Sequence, residues 1–105
     1  MKIRKTKISI DVYSAEINLY QGKSMKKLLK RFNKDTNSNV NIKENKNCFG
    51  LTIYNGVHAT ILLEDHKCKS KERETLVHEC SHAAIHIIDY IGSKVDSLNQ
   101  EPFAY

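Results

Sequence analysis

The chain is poor in residues that break or staple a fold. Its 105 residues hold a single proline, Pro102, and four glycines. There is no Pro- or Ser-rich linker and no internal repeat, so the length corresponds to one domain spanning residues 1–105 with one modest core. Three cysteines, Cys48, Cys68 and Cys80, are an odd number with no CxxC pair, which excludes a disulfide framework. They are expected as reduced thiols used as small hydrophobes, with Cys80 facing the core. The His66-x-Cys68 pair lacks partner ligands at a workable metal spacing. No stretch is long or apolar enough to span a membrane. The basic start, Met1 to Lys7, leads into no apolar signal-peptide core. A cytoplasmic location without membrane contact is the expectation.

What is plentiful is positive charge. The formal net charge is +5, with Lys/Arg clusters at Lys2–Lys7, Lys23–Lys34 and Lys67–Arg73. No aromatic residues interleave these clusters as a base-stacking platform would require. They read as solvated faces, and nucleic acid is not the expected partner.

Between Lys7 and Tyr20 apolar and polar residues alternate, which is strand-like, and either one bent strand or a tight hairpin fits. Met25, Leu28, Leu29 and Phe32 then follow i, i+3, i+4, i+7 spacing behind Ser24, a plausible N-cap, which predicts an amphipathic helix. Asp35–Asn47 reads as a loop holding a short strand at Val40–Ile42. Cys48–Tyr54 and Val57–Leu63 flank Asn55-Gly56, a strong hairpin signal. The second of these runs looks half exposed. From Lys71 the period turns helical and runs to about Ile91, with Gly92 as a C-terminal stop.

That last helix carries His78-Glu79-Cys80-Ser81-His82, an HExxH motif. Histidines four apart lie one turn apart on one face, so both imidazoles can reach one metal ion. The adjacent Glu79 can take a proton from water that the metal polarises. Stepping about 100° per residue puts Thr75, His78, Glu79, His82, His86 and Asp89 on one arc. Leu76, Cys80, Ala83, Ala84, Ile87 and Ile91 fall opposite, with Val77 and Ile88 at the margin. The apolar stripe is expected on the sheet, with the histidines and carboxylates turned outward into a groove.

Catalytic zinc commonly takes three protein ligands. His86 lies about 12 Å from His78 along the helix, too far for one ion, so it is expected beside the site or facing substrate. Glu101, separated from His82 by 18 residues, is the stronger candidate. Asn99 would cap a second short helix and place Glu101 in its first turn. Asp89, on the groove side, and Asp96, in the link, are weaker.

The two strings His78-Glu79-x-x-His82 and Asn99-Gln100-Glu101-Pro102-Phe103-Ala104 resemble zincin metallopeptidases of the gluzincin kind. The gap and the Asn-x-Glu-x-Phe-Ala string are similar to the zinc site of aminopeptidase N-type enzymes. The size and the Thr75-Leu76-Val77-His78-Glu79 context resemble small zincin-like proteins encoded by bacteriophages and prophages. The resemblance covers Thr75 to Tyr105. It implies a minimal zincin-like α+β domain, a small mixed sheet packed against the N-terminal helix and the HExxH helix. It implies Zn²⁺ on His78, His82 and Glu101, Glu79 as general base, and a peptide or protein substrate. Val57–Leu63 would form the cleft edge, with Thr60 and Leu62 toward the groove. The chain ends four residues after Glu101, where zincin peptidases usually add a second cleft wall. Tyr105 is the nearby candidate for stabilising the oxyanion, and a second copy could complete the cleft. Three functions compete: a zinc peptidase or amide hydrolase, a metal-binding interaction module directed at a host factor, and a basic nucleic-acid-binding domain with structural zinc.

Overall fold

The computed structural model describes residues 2–10 and 14–98, with side chains described through residue 92. The elements follow as β1 (Arg4–Ile10), β2 (Ala15–Gly22), α1 (Met25–Thr36), α2 (Ile42–Asn45), β3 (Gly50–Asn55), β4 (His58–Glu64) and α3 (Lys69–Leu98). The strands form one mixed sheet in the order β1-β2-β4-β3. The fold is α+β, as the sequence predicts. β1 and β2 make an antiparallel hairpin, which decides between the two readings of the first strand region. β2 then pairs parallel with β4, Glu16 opposite His58 and Gly22 opposite Glu64.

The two long helices cover opposite faces of this sheet. Successive strand residues point to opposite sides, so Ala59 and Ile61 of β4 face one way and Leu62 the other. Ala59, Ile61 and Ala15 pack with Ala83, Ile87 and Ile91 of α3. Leu62 and Tyr20 pack with Met25, Leu28, Leu29 and Phe32 of α1. The predicted apolar stripe of α1 is therefore its buried face. Ser24 Oγ accepts the Lys27 N–H at 3.4 Å, and Asn37 closes the helix in the left-handed region at φ 53°.

Several local expectations are corrected. Val40–Ile42 is not a strand. Asn33 holds the Val40 backbone through both ends of its side-chain amide, at 3.0 and 3.1 Å. Asn41 then caps the short helix α2 by accepting the Glu44 N–H at 3.0 Å. β4 is not half exposed: Ala59 to Leu63 are all buried, because β4 is paired on both sides and covered on both faces. The β3–β4 turn is displaced by one residue from Asn55-Gly56. Asn55 pairs with His58, so Gly56 and Val57 are the two loop residues. Gly56 takes φ +62°, the only left-handed residue of that loop, which is the pattern of a type II′ turn.

Gly92 does not stop the last helix. α3 continues to Leu98, and Asp96 lies in it rather than in a link. An interior glycine costs about 1 kcal/mol relative to alanine, and with no proline between Gly92 and Leu98 the backbone ladder continues across it. The start of α3 is tied to the sheet by Glu72, which accepts the Gln21 side-chain amide at 3.1 Å and the His66 N–H at 2.9 Å. Among the described residues, no helix is long and apolar enough to cross a membrane.

Candidate metal centre

α3 lies across β3 and β4. Its packed face comprises Thr75, Leu76, Glu79, Cys80, Ala83, His86, Ile87 and Ile91. This face is centred about 40° around the axis from the apolar stripe read in the sequence. The rotation has two consequences. Glu79 and His86, expected outward, are drawn in toward β3. Ala84, expected in the core, is exposed together with Val77, Ile85 and Ile88.

Contacts on β3 account for the rotation. Its Gly50, Thr52 and Tyr54 point to the α3 side, while Leu51 and Ile53 pack on the other face. Thr52 Oγ1 lies 2.6 Å from Glu79 Oε1 and 3.2 Å from the Glu79 carbonyl oxygen, and donates to both. Glu79 is 8% exposed, the one buried charged residue among the described residues. Tyr54 stacks on His86 with ring centroids 4.0 Å apart and planes inclined by 18°. His86 Nε2 is buried without a hydrogen-bond partner. Burial pushes the Tyr54 hydroxyl pKa above its ordinary value, and the Glu79 charge adds to the rise. Cys80 is raised by the same two causes in the same order.

The two motif histidines stay outside this layer. His78 and His82 are exposed, with rings 4.4 Å apart at 88°. Their Nε2 atoms converge to 2.9 Å. The second carboxylate oxygen of Glu79, Oε2, lies 4.0 Å from His78 Nε2. The pair of imidazole nitrogens fits a divalent cation as a two-nitrogen chelate, with a buried carboxylate alongside. Among the described residues, no group of three His, Cys, Asp or Glu side chains is placed to hold a metal.

The other expected site residues fall differently. Thr60 is buried on the α1 side of the sheet, beside Asn18, Phe32 and Ile53, and Leu62 shares that side. Neither reaches the HExxH groove. The sheet edge beside α3 is β3, not Val57–Leu63, because β4 is interior. Asp89 is exposed just under one turn beyond His86, about two turns from His82, and is not in the Glu79 layer. Glu101 and Tyr105, with the expected Asn99 cap, lie outside the described residues. Cys48 and Cys68 are exposed rather than core hydrophobes, and only Cys80 packs at the core.

Sequence reasoning missed Gly50, Thr52 and Tyr54. Their alternation with Leu51 and Ile53 was available as a signal. Which hairpin strand lies at the edge was not, because it depends on the parallel pairing of β2 with β4. No family model matches the chain, and no curated protein or solved structure was found to be similar to it.

Proposed function

We propose that the protein is a zinc-dependent hydrolase acting on peptide or amide bonds. The observation that carries this reading is the convergence of His78 and His82 Nε2 at 2.9 Å beside the Glu79 carboxylate. His78 and His82 would hold the ion, with Glu101 as third ligand on the strength of the zincin resemblance. When bound, zinc supplies a Lewis acid that polarises water and a substrate carbonyl. Glu79 would accept the proton from the attacking water and return it to the leaving nitrogen. The outer edge of β3 would pair with an extended peptide, which favours a peptide or protein substrate. The proposed location is the cytoplasm, of a host cell if the chain is phage-encoded.

The test is incubation of zinc-loaded protein with a broad peptide mixture and mass-spectrometric readout. Wild type is expected to cleave at a defined bond. Glu79→Gln should retain zinc and lose cleavage. Survival of cleavage in that variant would show that the base is misassigned.

A second reading is a metal-binding interaction module. It is favoured by Val77, Ile85 and Ile88, which are 64%, 59% and 67% exposed on the outer side of α3. A protein partner, or a second copy completing the cleft, would cover that face. Zinc-dependent self-association or partner binding with no cleavage of any peptide would select this reading.

A further inference from the structure

The groups that place Glu79 come from β3, and a sequence reading centred on α3 gives them no role. We propose that Thr52 is a positioning residue for the Glu79 carboxylate, and that Gly50 is the clearance that lets it act. The proposal rests on the hydrolase reading for its catalytic consequence but not for its structural content.

A glutamate side chain one residue from a metal ligand has several rotamers open to it on an exposed helix. A base must present one oxygen to the reacting water with little freedom to turn away. Thr52 removes that freedom. Its hydroxyl sits 2.6 Å from Oε1, a short contact expected of a hydrogen bond donated to a carboxylate. The same hydroxyl oxygen lies 3.2 Å from the Glu79 backbone carbonyl, so it reads both ends of one residue. With Oε1 tied to the strand, Oε2 is left on the side of His78 Nε2, at 4.0 Å. One carboxylate oxygen anchors and the other faces the imidazole pair.

Contact at this range requires β3 and α3 to approach closely. Gly50 permits it. A Cβ at position 50 would stand 2.6 Å from Thr75 Cγ2 and 3.0 Å from Glu79 Cγ. Gly50 and Thr52 are two residues apart, so they share the α3 side of β3. A side chain at 50 would have to displace the Thr75 methyl and the Glu79 stem that Thr52 holds. The strand thus supplies a gap and a donor in register with one turn of the helix.

The test uses Thr52→Val, which keeps the shape and removes the hydroxyl, and Thr52→Ser, which keeps the hydroxyl. The first readout needs neither zinc nor turnover. It is the side-chain carboxyl carbon resonance of Glu79 in the metal-free protein, assigned by its loss in Glu79→Gln. Thr52→Val is expected to move this resonance toward those of exposed glutamates, and Thr52→Ser to leave it in place. An unmoved resonance in Thr52→Val, with the amide spectrum showing an intact fold, overturns the proposal. Thr52→Ala gives the same comparison should the valine variant not fold. The second readout is kinetic. Thr52→Val is expected to lower kcat by about 10- to 100-fold with KM and zinc affinity unchanged, and Thr52→Ser to recover most of the loss. An unchanged kcat, or a fall in zinc affinity of the same size, contradicts positioning of the base. A wild-type protein that binds zinc and cleaves nothing removes the hydrolase reading, and the carboxyl resonance then decides the placement of Glu79 by itself.

Discussion

His86 lies flat against Tyr54, ring on ring at a centroid distance of 4.0 Å. His86 is one helical turn beyond His82, so the stack fixes α3 to the edge strand just past the two motif histidines. It is also one reason why the helix is rotated toward β3. A stacked aromatic pair is worth about 0.5–1.5 kcal/mol beyond its buried area. Tyr54→Ala should therefore lower unfolding free energy in urea by at least about 1 kcal/mol, and Tyr54→Phe by much less. Equal losses in the two variants would mean that the hydroxyl, not the stack, holds the strand.

The clearance at Gly50 makes a stability prediction independent of function. Gly50→Ala should destabilise by about 1–3 kcal/mol, because the added methyl meets Thr75 Cγ2 at 2.6 Å. Thr75→Ser removes that methyl, so the double variant should recover part of the loss. Additive effects in a denaturation cycle would show that positions 50 and 75 do not touch.

Tyr20 predicts a loss of stability at high pH. Burial pushes its hydroxyl up to about 12, reinforced by its hydrogen bond to Asp35 at 2.9 Å. A group whose pKa is raised on folding stabilises fully below its unfolded value near 10 and loses that contribution as pH climbs through the folded value. Stability should fall between pH 10 and about 12, and Tyr20→Phe should flatten that fall. Absorbance titration of tyrosinate in the native protein should show one tyrosine ionising last, missing in the variant. A profile identical in both proteins would contradict the assignment.

The continuity of α3 bears on the third ligand. Leu98 lies about 24 Å along the axis from His82. A Glu101 ligand from the same chain would therefore need α3 to open before Leu98, and Gly92 is its weakest helix former. Among the described residues nothing lies within 4 Å of a Cβ at Gly92, so Gly92→Ala meets no described neighbour and strengthens the helix. It should raise stability of the metal-free protein by about 1 kcal/mol and weaken zinc binding by about 5-fold. Stronger helicity with unchanged zinc affinity would remove Glu101 of the same chain as a ligand. Glu101→Ala, with zinc affinity measured by chelator competition, tests the same assignment directly.

Local patterns made much of the fold legible. The spacing of Met25, Leu28, Leu29 and Phe32 fixes the buried face of α1, and Gly56 with its positive φ marks the β3–β4 turn. Long-range pairing was not legible. No short pattern announces that Glu16–Gly22 runs parallel beside His58–Glu64, yet that pairing buries β4 and leaves β3 at the edge. The site divides the same way. His78, Glu79 and His82 are readable from helical spacing alone. Thr52, the donor to Glu79, is 27 residues away and reaches it only through the sheet. The apolar stripe also misled, because a hydrogen bond from Thr52 and a ring stack on Tyr54 favour a rotation that hydrophobicity alone does not.

The most direct measurement is zinc affinity across four proteins: wild type, His78→Ala, His82→Ala and Glu79→Gln, by competition with a chromogenic chelator. Wild type should bind a single zinc ion per chain. Each histidine variant should bind more than about 100-fold more weakly, and Glu79→Gln should stay within a few-fold of wild type. Histidine variants that bind zinc as tightly as wild type would contradict a metal centre at His78 and His82.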